Sequence, residues 1–368
     1  MRLVYLSPVP WESFAQRPHK FVEWFHDRTG APVLWVDPYP TRFPNWGDFW
    51  RSRLSAQSTQ SSSPPPWLTV LKPSGILPIE PLPGSGLING RFWQRYINLI
   101  DGFARDSKTW LVIGKPSALA LELLKFFRHC PSLYDAMDDF PAFYSGFSRL
   151  ALARREHEIV QRVNVIWASS SELKARWMHF HNDVRLVRNG LDLSVVHAVE
   201  PMPKSSERKV FGYVGTVASW FDWDWVRALA EIRPNDEIIL IGPVFEQPLG
   251  KLPSNINLLP ACNHVAALNA MTQFHVGLIP FKKNALTASV DPIKYYEYRV
   301  LGLPVISTDF GEMSLRIDEC GVFIAQSACD MSALADSAIQ FNSDARDACA
   351  FAAQNTWEVR FDTAKLFP

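Results

Sequence analysis

The sequence predicts an α/β protein of two domains, each a parallel sheet covered by helices. Three observations predict it. Short apolar runs alternate with amphipathic stretches along the whole chain, the pattern of strand–helix units that stack a parallel sheet. That alternation breaks into a polar, proline-containing tract past the middle and then restarts, giving two halves of similar size. The length, 368 residues, suits about two domains at roughly 150 residues each.

In the first half the expected strands are Leu3–Leu6, Val33–Asp37, Leu68–Leu71, Trp110–Ile113, Leu133–Asp135, Val165–Ala168 and Val184–Val187. Helices are expected over Pro18–Asp27, Phe92–Ala104, Ser117–Arg128, Arg149–Gln161 and Ser171–His179. Pro18 suits a first helical turn, where its missing N–H costs nothing. Periodicity disappears between Pro38 and Pro66, and Ser55–Pro66 reads as a surface loop. The tract His197–Arg208 reads as the interdomain linker. Val210–Val214, Glu237–Ile241, Val276–Ile279, Val305–Ser307 and Val322–Ile324 are the second set of strands. Trp223–Ile232 and Ile293–Leu301 are helical by pattern, Val265–Met271 continues the alternation, and Met331–Ala353 is a closing helical stretch. The expected domains are therefore 1–197 and 198–345, with a terminal helical segment at 346–368.

Composition narrows the chemistry. Hydrophobic residues make up 47% and charged residues 20%, enough apolar material for two cores. Lys+Arg and Asp+Glu both number 37, so no bulk charge draws the chain to nucleic acid. The cysteines (130, 262, 320, 329, 349) are odd in number and lack a CxxC pair. That argues against a disulfide framework or zinc cluster and suits a reducing cytoplasm. Met1–Pro8 reads as a first strand, too short for a signal h-region. No uncharged apolar run approaches the ~18 residues that span a bilayer. The expectation is a cytoplasmic protein, at most peripheral at the inner face of the membrane.

The most informative segment is Ala288–Ser307, Ala-Ser-Val-Asp-Pro-Ile-Lys-Tyr-Tyr-Glu-Tyr-Arg-Val-Leu-Gly-Leu-Pro-Val-Ile-Ser. Asp291 suits an N-cap and Pro292 the first helical position, while Gly302 and Pro304 stop the helix before a strand. Lys294 and Glu297, three apart, share one face near the helix start. A cation beside free helix N–H groups suits a nucleotide diphosphate, and a carboxylate suits ribose hydroxyls. The bland alternative is an ordinary surface ion pair.

This stretch resembles the nucleotide-binding helix of GT-B glycosyltransferases, whose donor domain carries a Lys/Glu pattern ahead of a Gly-x-Pro-Val strand. Four further segments extend the resemblance over most of the chain. Gln16-Arg17-Pro18-His19 is similar to the loop after the first strand in bacterial polysaccharide-assembling members. Tyr134-Asp135-Ala136-Met137-Asp138-Asp139-Phe140 is similar to their mid-domain acidic motif. Arg188-Asn189-Gly190-Leu191-Asp192 and Gly212-Tyr213-Val214-Gly215-Thr216 are similar to their Asn-Gly-Val/Leu-Asp segment and to the start of their donor domain. The resemblance implies a GT-B architecture, two Rossmann-like domains facing across a cleft, with acceptor bound by the first and donor by the second. It also implies that the terminal helix packs back on the N-terminal domain.

One departure bears on mechanism. Many retaining relatives carry a glutamate eight positions before the one matched by Glu297, and Ser289 stands there. This variant resembles glucuronosyltransferase-like and teichuronic-acid-type members, which implies inversion at the anomeric carbon without a metal. An inverting transfer needs a carboxylate to deprotonate the acceptor hydroxyl. Asp138 matches the family's base, and Asp135 and Asp139 flank it at the carboxyl edge of a strand, where open α/β sheets bind ligands. Arg17 and His19 are candidates for an acceptor phosphate or the leaving diphosphate. Lys294, Glu297, Gly215, Thr216 and Ser289 form the expected donor site. For each residue a structural role is the alternative: caps, turns or a strand-to-helix bend.

Other motifs are set aside. Gly84-Ser85-Gly86-Leu87-Ile88-Asn89-Gly90 follows prolines rather than a strand, so it lacks the context of a dinucleotide loop. Asp222-Trp223-Asp224 opens a helix, where acids cap, and is no metal motif. His179 and His181 show no ligand spacing. Arg42–Leu54 mixes Trp/Phe with Arg and reads either as a membrane-interface contact or as a packed loop. The expected function is transfer of a sugar from a nucleotide diphosphate sugar, a UDP-sugar first among them, to a glycan or lipid-linked acceptor in envelope or exopolysaccharide assembly. No cofactor beyond that donor is expected. A GT-B-shaped sugar-nucleotide epimerase and a non-catalytic nucleotide-sugar or glycan-binding protein are the alternatives.

Overall fold

A computed structural model describes residues 1–13, 15–41, 63–82, 84–193, 207–327 and 330–367. The aromatic/basic stretch 42–54, most of the Ser/Pro tract and residues 197–206 of the expected linker lie outside the described residues. The chain divides into two compact units, Met1–Val187 with Ala364–Pro368, and Arg188–Thr363.

The first unit holds seven parallel strands: β1 (Arg2–Leu6), β2 (Val33–Val36), β3 (Leu68–Leu71), β4 (Thr109–Ile113), β5 (Ser132–Ala136), β6 (Val165–Ala168) and β7 (Val184–Leu186). Their order is β3-β2-β1-β4-β5-β6-β7. The inner strands are apolar at nearly every position because helices cover both faces. Among the described residues, the helices between them are α1 (Arg17–Thr29), α2 (Ser85–Ala104), α3 (Ala118–Phe126), α4 (Gly146–Val160) and α5 (Ser171–Met178). On one face Trp93, Leu123, Ile159 and Trp177 of α2 to α5 pack on Leu6, Val36, Ile113 and Ile166. On the other, Phe21 of α1 packs against Tyr5 and Trp167. The last residues return to this unit: Phe367 stacks on Trp24, and Arg185 donates to the carbonyls of Ala364 and Lys365.

α2 starts seven residues before the expected Phe92. Gly86 and Gly90 depress its helix propensity, but tertiary bonds override that weak preference. Asn89 is buried and pairs with both the N–H and the carbonyl of Leu77, and Ser85 donates to the Glu80 carbonyl. The glycine-rich motif set aside above is thus the first turns of a helix.

The second unit holds six parallel strands: β8 (Val210–Val214), β9 (Glu237–Ile241), β10 (Ile256–Leu259), β11 (Val276–Ile279), β12 (Val305–Thr308) and β13 (Val322–Ala325), in the order β10-β9-β8-β11-β12-β13. Its helices are α6 (Trp223–Ile232), α7 (His264–Thr272), α8 (Ile293–Val300), α9 (Gly311–Ser314), α10 (Met331–Gln340), α11 (Ala345–Gln354) and α12 (Trp357–Thr363). β10 escaped the sequence reading because it is an edge strand with only Ile256 buried. The expected helix Met331–Ala353 breaks after Gln340, and Asp344 caps the second piece through the N–H of Arg346. Of the terminal segment 346–368, residues through Thr363 belong to the second unit and the remainder to the first. Asp222 caps α6 through the N–H of Trp225. In both sheets the strand order reverses beside the first strand, β1/β4 and β8/β11, the switch points at which doubly wound sheets bind ligands.

Candidate functional site

In the first unit the acidic motif runs off the carboxyl end of β5. Asp135, the last but one residue of the strand, is fully buried. Its carboxylate accepts from Arg17 Nε at 3.0 Å and Nη2 at 2.7 Å, and from Tyr5 Oη at 3.4 Å. Arg17 Nη1 donates to the Val187 carbonyl at 2.7 Å. Arg17 is 3% exposed, so this guanidinium sits inside the sheet edge as a buried counter-ion rather than on the surface awaiting phosphate. His19 is also buried, between the rings of Trp11 and Trp35. Its Nδ1 accepts from the Gln16 N–H and its Nε2 donates to the Trp11 carbonyl, so it serves as the reciprocal cap of α1. Burial lowers its pKa, which keeps the ring neutral.

After Asp135 the chain turns, and Ser169 pins the turn by donating from Oγ to the Met137 carbonyl at 2.8 Å. Asp138 follows, half-buried. Among the described residues its carboxyl makes no hydrogen bond or ion pair. Burial pushes its pKa up to about 7, with Asp135 and Asp139 adding to the rise and Arg17 opposing it. A carboxylate with that value is matched to taking a proton near neutral pH. Asp139 pairs with Arg176 at 2.9 Å. Beneath it Glu156 is buried and accepts from Tyr134 Oη. Burial carries Glu156 up to about 8. Glu156 and Arg176 had no signal in the sequence, since they reach the acidic motif from α4 and α5.

In the second unit, α8 is fixed beneath β8 by Tyr298. Its buried hydroxyl accepts from the Val214 N–H and donates to the Gly212 carbonyl, each at 3.3 Å. That contact ties the helix carrying Lys294 and Glu297 to the strand that runs into Gly215 and Thr216. The Lys294 ammonium donates to Glu297 Oε2, and His264 Nε2 donates to Oε1 at 2.9 Å. Glu297 is buried, and burial alone would raise its pKa. Lys294 and His264 outweigh that and hold the carboxyl below the ordinary range. His264 opens α7, 33 residues away in sequence, and no spacing rule pointed to it.

Gly215 and Gly242, each just past a strand, touch through their backbones. A Cβ on Gly242 would lie 2.1 Å from the Gly215 carbonyl oxygen, and Gly242 has φ +144°. Only glycine fits there. Thr216 offers its carbonyl to Tyr213 Oη at 3.0 Å.

Ser289 closes a 3₁₀ turn, Thr287–Ser289. It is fully buried, and its Oγ has no hydrogen-bond partner among the described residues. Asp291 is not the N-cap that the sequence suggested; Pro292 holds that place. The Asp291 carboxylate instead accepts from the Asn189 N–H, Tyr296 Oη and Arg316. It is a buried junction that ties the Arg-Asn-Gly segment to α8. Arg188 in turn pairs with Glu312 at 2.6 Å.

The predicted residues thus form two groups, one in each unit: Arg17, Asp135, Asp138 and Asp139 in the first, Lys294 and Glu297 in the second. Gly215 and Thr216 stand at the end of the strand to which α8 is tied. His19 is turned into the packing of α1.

No protein-family model matches the chain. It is similar to TuaH of Bacillus subtilis (strain 168), a protein named as a glycosyltransferase of teichuronic acid biosynthesis, with 26% identity over 204 residues, 50% of this chain and 51% of that protein. The match therefore spans about half the length of the curated relative. Among solved structures, a sucrose-phosphate synthase of Thermosynechococcus elongatus superposes with a TM-score of 0.69 at 12% identity, covering 100% of this chain and 98% of that one. The E. coli trehalose-6-phosphate structure bound with UDP-2-fluoro glucose gives 0.65 at 10% identity, covering 100% of both chains. AviGT4, a glycosyltransferase of avilamycin A biosynthesis, gives 0.56 at 10% identity, over 99% of this chain and 96% of that one. The likeness is one of fold, and the fold is GT-B, as the sequence resemblance implied.

Proposed function

We propose that the chain is a nucleotide-sugar-dependent glycosyltransferase. The observation that carries this reading is the Lys294–Glu297–His264 cluster on a GT-B donor-type helix: a buried carboxylate kept charged beside a half-exposed ammonium. In this reading Glu297 accepts from ribose hydroxyls, and Lys294 turns to the diphosphate when nucleotide binds. Thr216 and the glycine pair allow phosphate to approach the backbone, and Ser289 contributes its unpartnered hydroxyl to the donor sugar. The donor is assigned to the second unit and the acceptor to the first.

Asp138 takes the proton of the acceptor hydroxyl. The acceptor oxygen then bonds to the anomeric carbon as the bond from that carbon to the phosphate oxygen breaks, and the nucleoside diphosphate leaves with the electron pair. Transfer is inverting and needs no metal, with Lys294 meeting the charge of the leaving group. The unit Met1–Val187 with Ala364–Pro368 is the acceptor part and the unit Arg188–Thr363 the donor part, in place of the sequence bounds 1–197 and 198–345, at the cytoplasmic face of the envelope. The similarity to TuaH supports a cell-envelope glycan, free or lipid-linked, as acceptor, and the structural neighbour solved with a UDP-sugar analogue supports UDP as the donor nucleotide.

Calorimetric titration of UDP, GDP and TDP into the protein and into Lys294→Ala tests the donor site. Binding of one nucleotide, lost in the variant, is the expected result; no binding to folded wild type overturns it. Release of free nucleoside diphosphate only when acceptor is added separates transfer from epimerisation and from silent binding.

A further inference from the structure

The second unit holds a polar cavity of about 130 Å³ that the donor-site residues do not line. Helix α8 contributes Tyr295 and Tyr296 to it. At about 3.6 residues per turn, that pair points to the opposite side of the helix from Lys294 and Glu297. The cavity has room for about four waters. It falls well short of the roughly 300 Å³ at which pockets begin to take larger ligands. A nucleotide does not fit, but a single small ion does.

Its charges choose the sign of that ion. Three arginines (188, 316 and 360) and two glutamates (312 and 319) line it. Both acids are already engaged: Glu312 pairs with Arg188 at 2.6 Å, and Glu319 accepts from the Tyr295 hydroxyl. Arg316 is buried and pairs with Asp291 through Nη2 at 2.7 Å, while its Nε lies 4.0 Å from Glu319, beyond hydrogen-bond reach. Arg360, on α12, forms no ion pair among the described residues. Its Nε and Nη2 donate to the Asn189 carbonyl and the Asn355 side chain, and its Nη1 makes no hydrogen bond among the described residues. One cation is thus left without a counter-ion, and two guanidinium positions are left open on one small cavity. A metal ion would need free carboxylates or imidazoles, and no group of three His, Cys, Asp or Glu among the described residues could hold one.

We propose that this cavity binds a phosphate group, as the free ion or a small phosphomonoester, with Arg360 and Arg316 as its donors. Guanidinium groups suit phosphate oxygens in charge and in geometry. The site also touches the helix that carries the donor cluster. Asp291, just before α8, already binds the Asn189 N–H, Tyr296 and Arg316. An anion bridging Arg316 and Arg360 joins that junction to α12 and fixes the side of α8 opposite Lys294 and Glu297. Nucleotide then meets a more ordered helix and binds more tightly. That coupling rests on the proposed donor-site reading; phosphate binding itself does not.

Calorimetric titration of inorganic phosphate and of methyl phosphate into the full chain, without nucleotide, tests the site. One saturable site is expected; equal affinities assign it to the free ion, and tighter methyl phosphate assigns it to a monoester. Arg360→Gln should weaken binding by at least about tenfold, the worth of one charge-assisted hydrogen bond. Glu319→Gln removes a negative charge from the lining and should tighten binding, a gain that misfolding cannot imitate. Lys294→Ala should leave phosphate binding unchanged. No saturable binding to wild type overturns the proposal. So does binding that Lys294→Ala abolishes and Arg360→Gln preserves, which places the phosphate at the donor cluster. With phosphate saturating, nucleotide affinity should rise roughly fivefold in wild type and stay level in Arg360→Gln. Bound phosphate without that rise overturns the coupling to α8. Phosphate binding in a chain that takes no nucleotide sinks the donor-site reading and leaves the phosphate site standing.

Discussion

Arg17 and Asp135 form an enclosed ion pair at the carboxyl end of β5, with side chains 3% and 0% exposed and Nη2 2.7 Å from Oδ1. The guanidinium also holds the Val187 carbonyl at the end of the first unit's continuous chain. A buried pair of this kind is costly to break from one side, because the remaining charge keeps no partner. Arg17→Met is expected to destabilise the protein by about 3–5 kcal/mol. Arg17→Met/Asp135→Leu, which removes both charges, should recover much of that loss. Urea unfolding of the two variants measures the difference. Equal losses in both would mean that the pair contributes through shape alone.

Asp138 has no such partner, and its raised value makes a signed prediction for pH. The folded carboxyl titrates at about 7, against an ordinary value of 3.8. Folding therefore takes up a proton between those values, and stability falls as pH rises through that window. Asp138→Asn should remove this slope and leave the variant more stable than wild type above pH 7, on the order of 1–2 kcal/mol once partial solvent screening is allowed for. Activity runs the other way. Wild-type kcat/KM should rise with pH through about 7 and then level, and Asp138→Asn should lower it by roughly 10²–10⁴. Thermal melts and initial rates across pH 5–9 report both, and a variant with full activity would remove Asp138 from the proton transfer.

Glu297 has the opposite sign. Lys294 and His264 hold its carboxyl below the ordinary range despite burial. Its contribution to stability is present above the unfolded carboxylate value and is lost as pH falls through the lower, folded value. Glu297→Gln keeps the shape and removes the charge. It should flatten the acid limb of the stability curve and weaken nucleotide binding by about tenfold, the worth of one charge-assisted hydrogen bond. His264→Ala should move the carboxyl back toward its ordinary value with a smaller effect on binding, because Lys294 remains. Acid titration followed by far-UV circular dichroism, paired with calorimetry at neutral pH, separates these effects.

Much of the fold was legible because buried parallel strands are apolar at nearly every position. Val165–Ala168, Val210–Val214, Glu237–Ile241 and Val276–Ile279 were read to the residue. Ile256–Leu259 was not, since an edge strand with one buried side chain gives no such run. The start of α2 was hidden for a different reason: its glycines argue against a helix, and the bonds of Asn89 and Ser85 that overrule them come from residues 77–80. At the site, Lys294 and Glu297 were visible because helical spacing brings them together locally. His264 reaches Glu297 in the second unit, and Glu156 and Arg176 reach Tyr134 and Asp139 in the first, through tertiary packing that no linear spacing encodes. Asp291 shows the limit most plainly, because an aspartate before a proline reads as a cap until Arg316 and Asn189 are seen to claim its oxygens.

Two glycines give opposite expectations for the same substitution. At Gly242 a methyl group would overlap the Gly215 carbonyl oxygen at 2.1 Å, and the backbone has φ +144°. Relief requires the two strand-end loops to separate, so Gly242→Ala should cost about 2–4 kcal/mol and also weaken nucleotide binding, because Gly215 and Thr216 move with it. Gly90 lies inside α2 with no atom within 4 Å of an added Cβ. There alanine restores helix propensity and restricts only the unfolded chain, so Gly90→Ala should stabilise by roughly 0.5–1 kcal/mol. Urea midpoints at a common slope test both, with calorimetry of nucleotide added for Gly242→Ala. If Gly242→Ala loses stability but binds nucleotide as wild type does, the loops after β8 and β9 do not belong to the donor site, and Lys294 with Glu297 must hold the diphosphate without them.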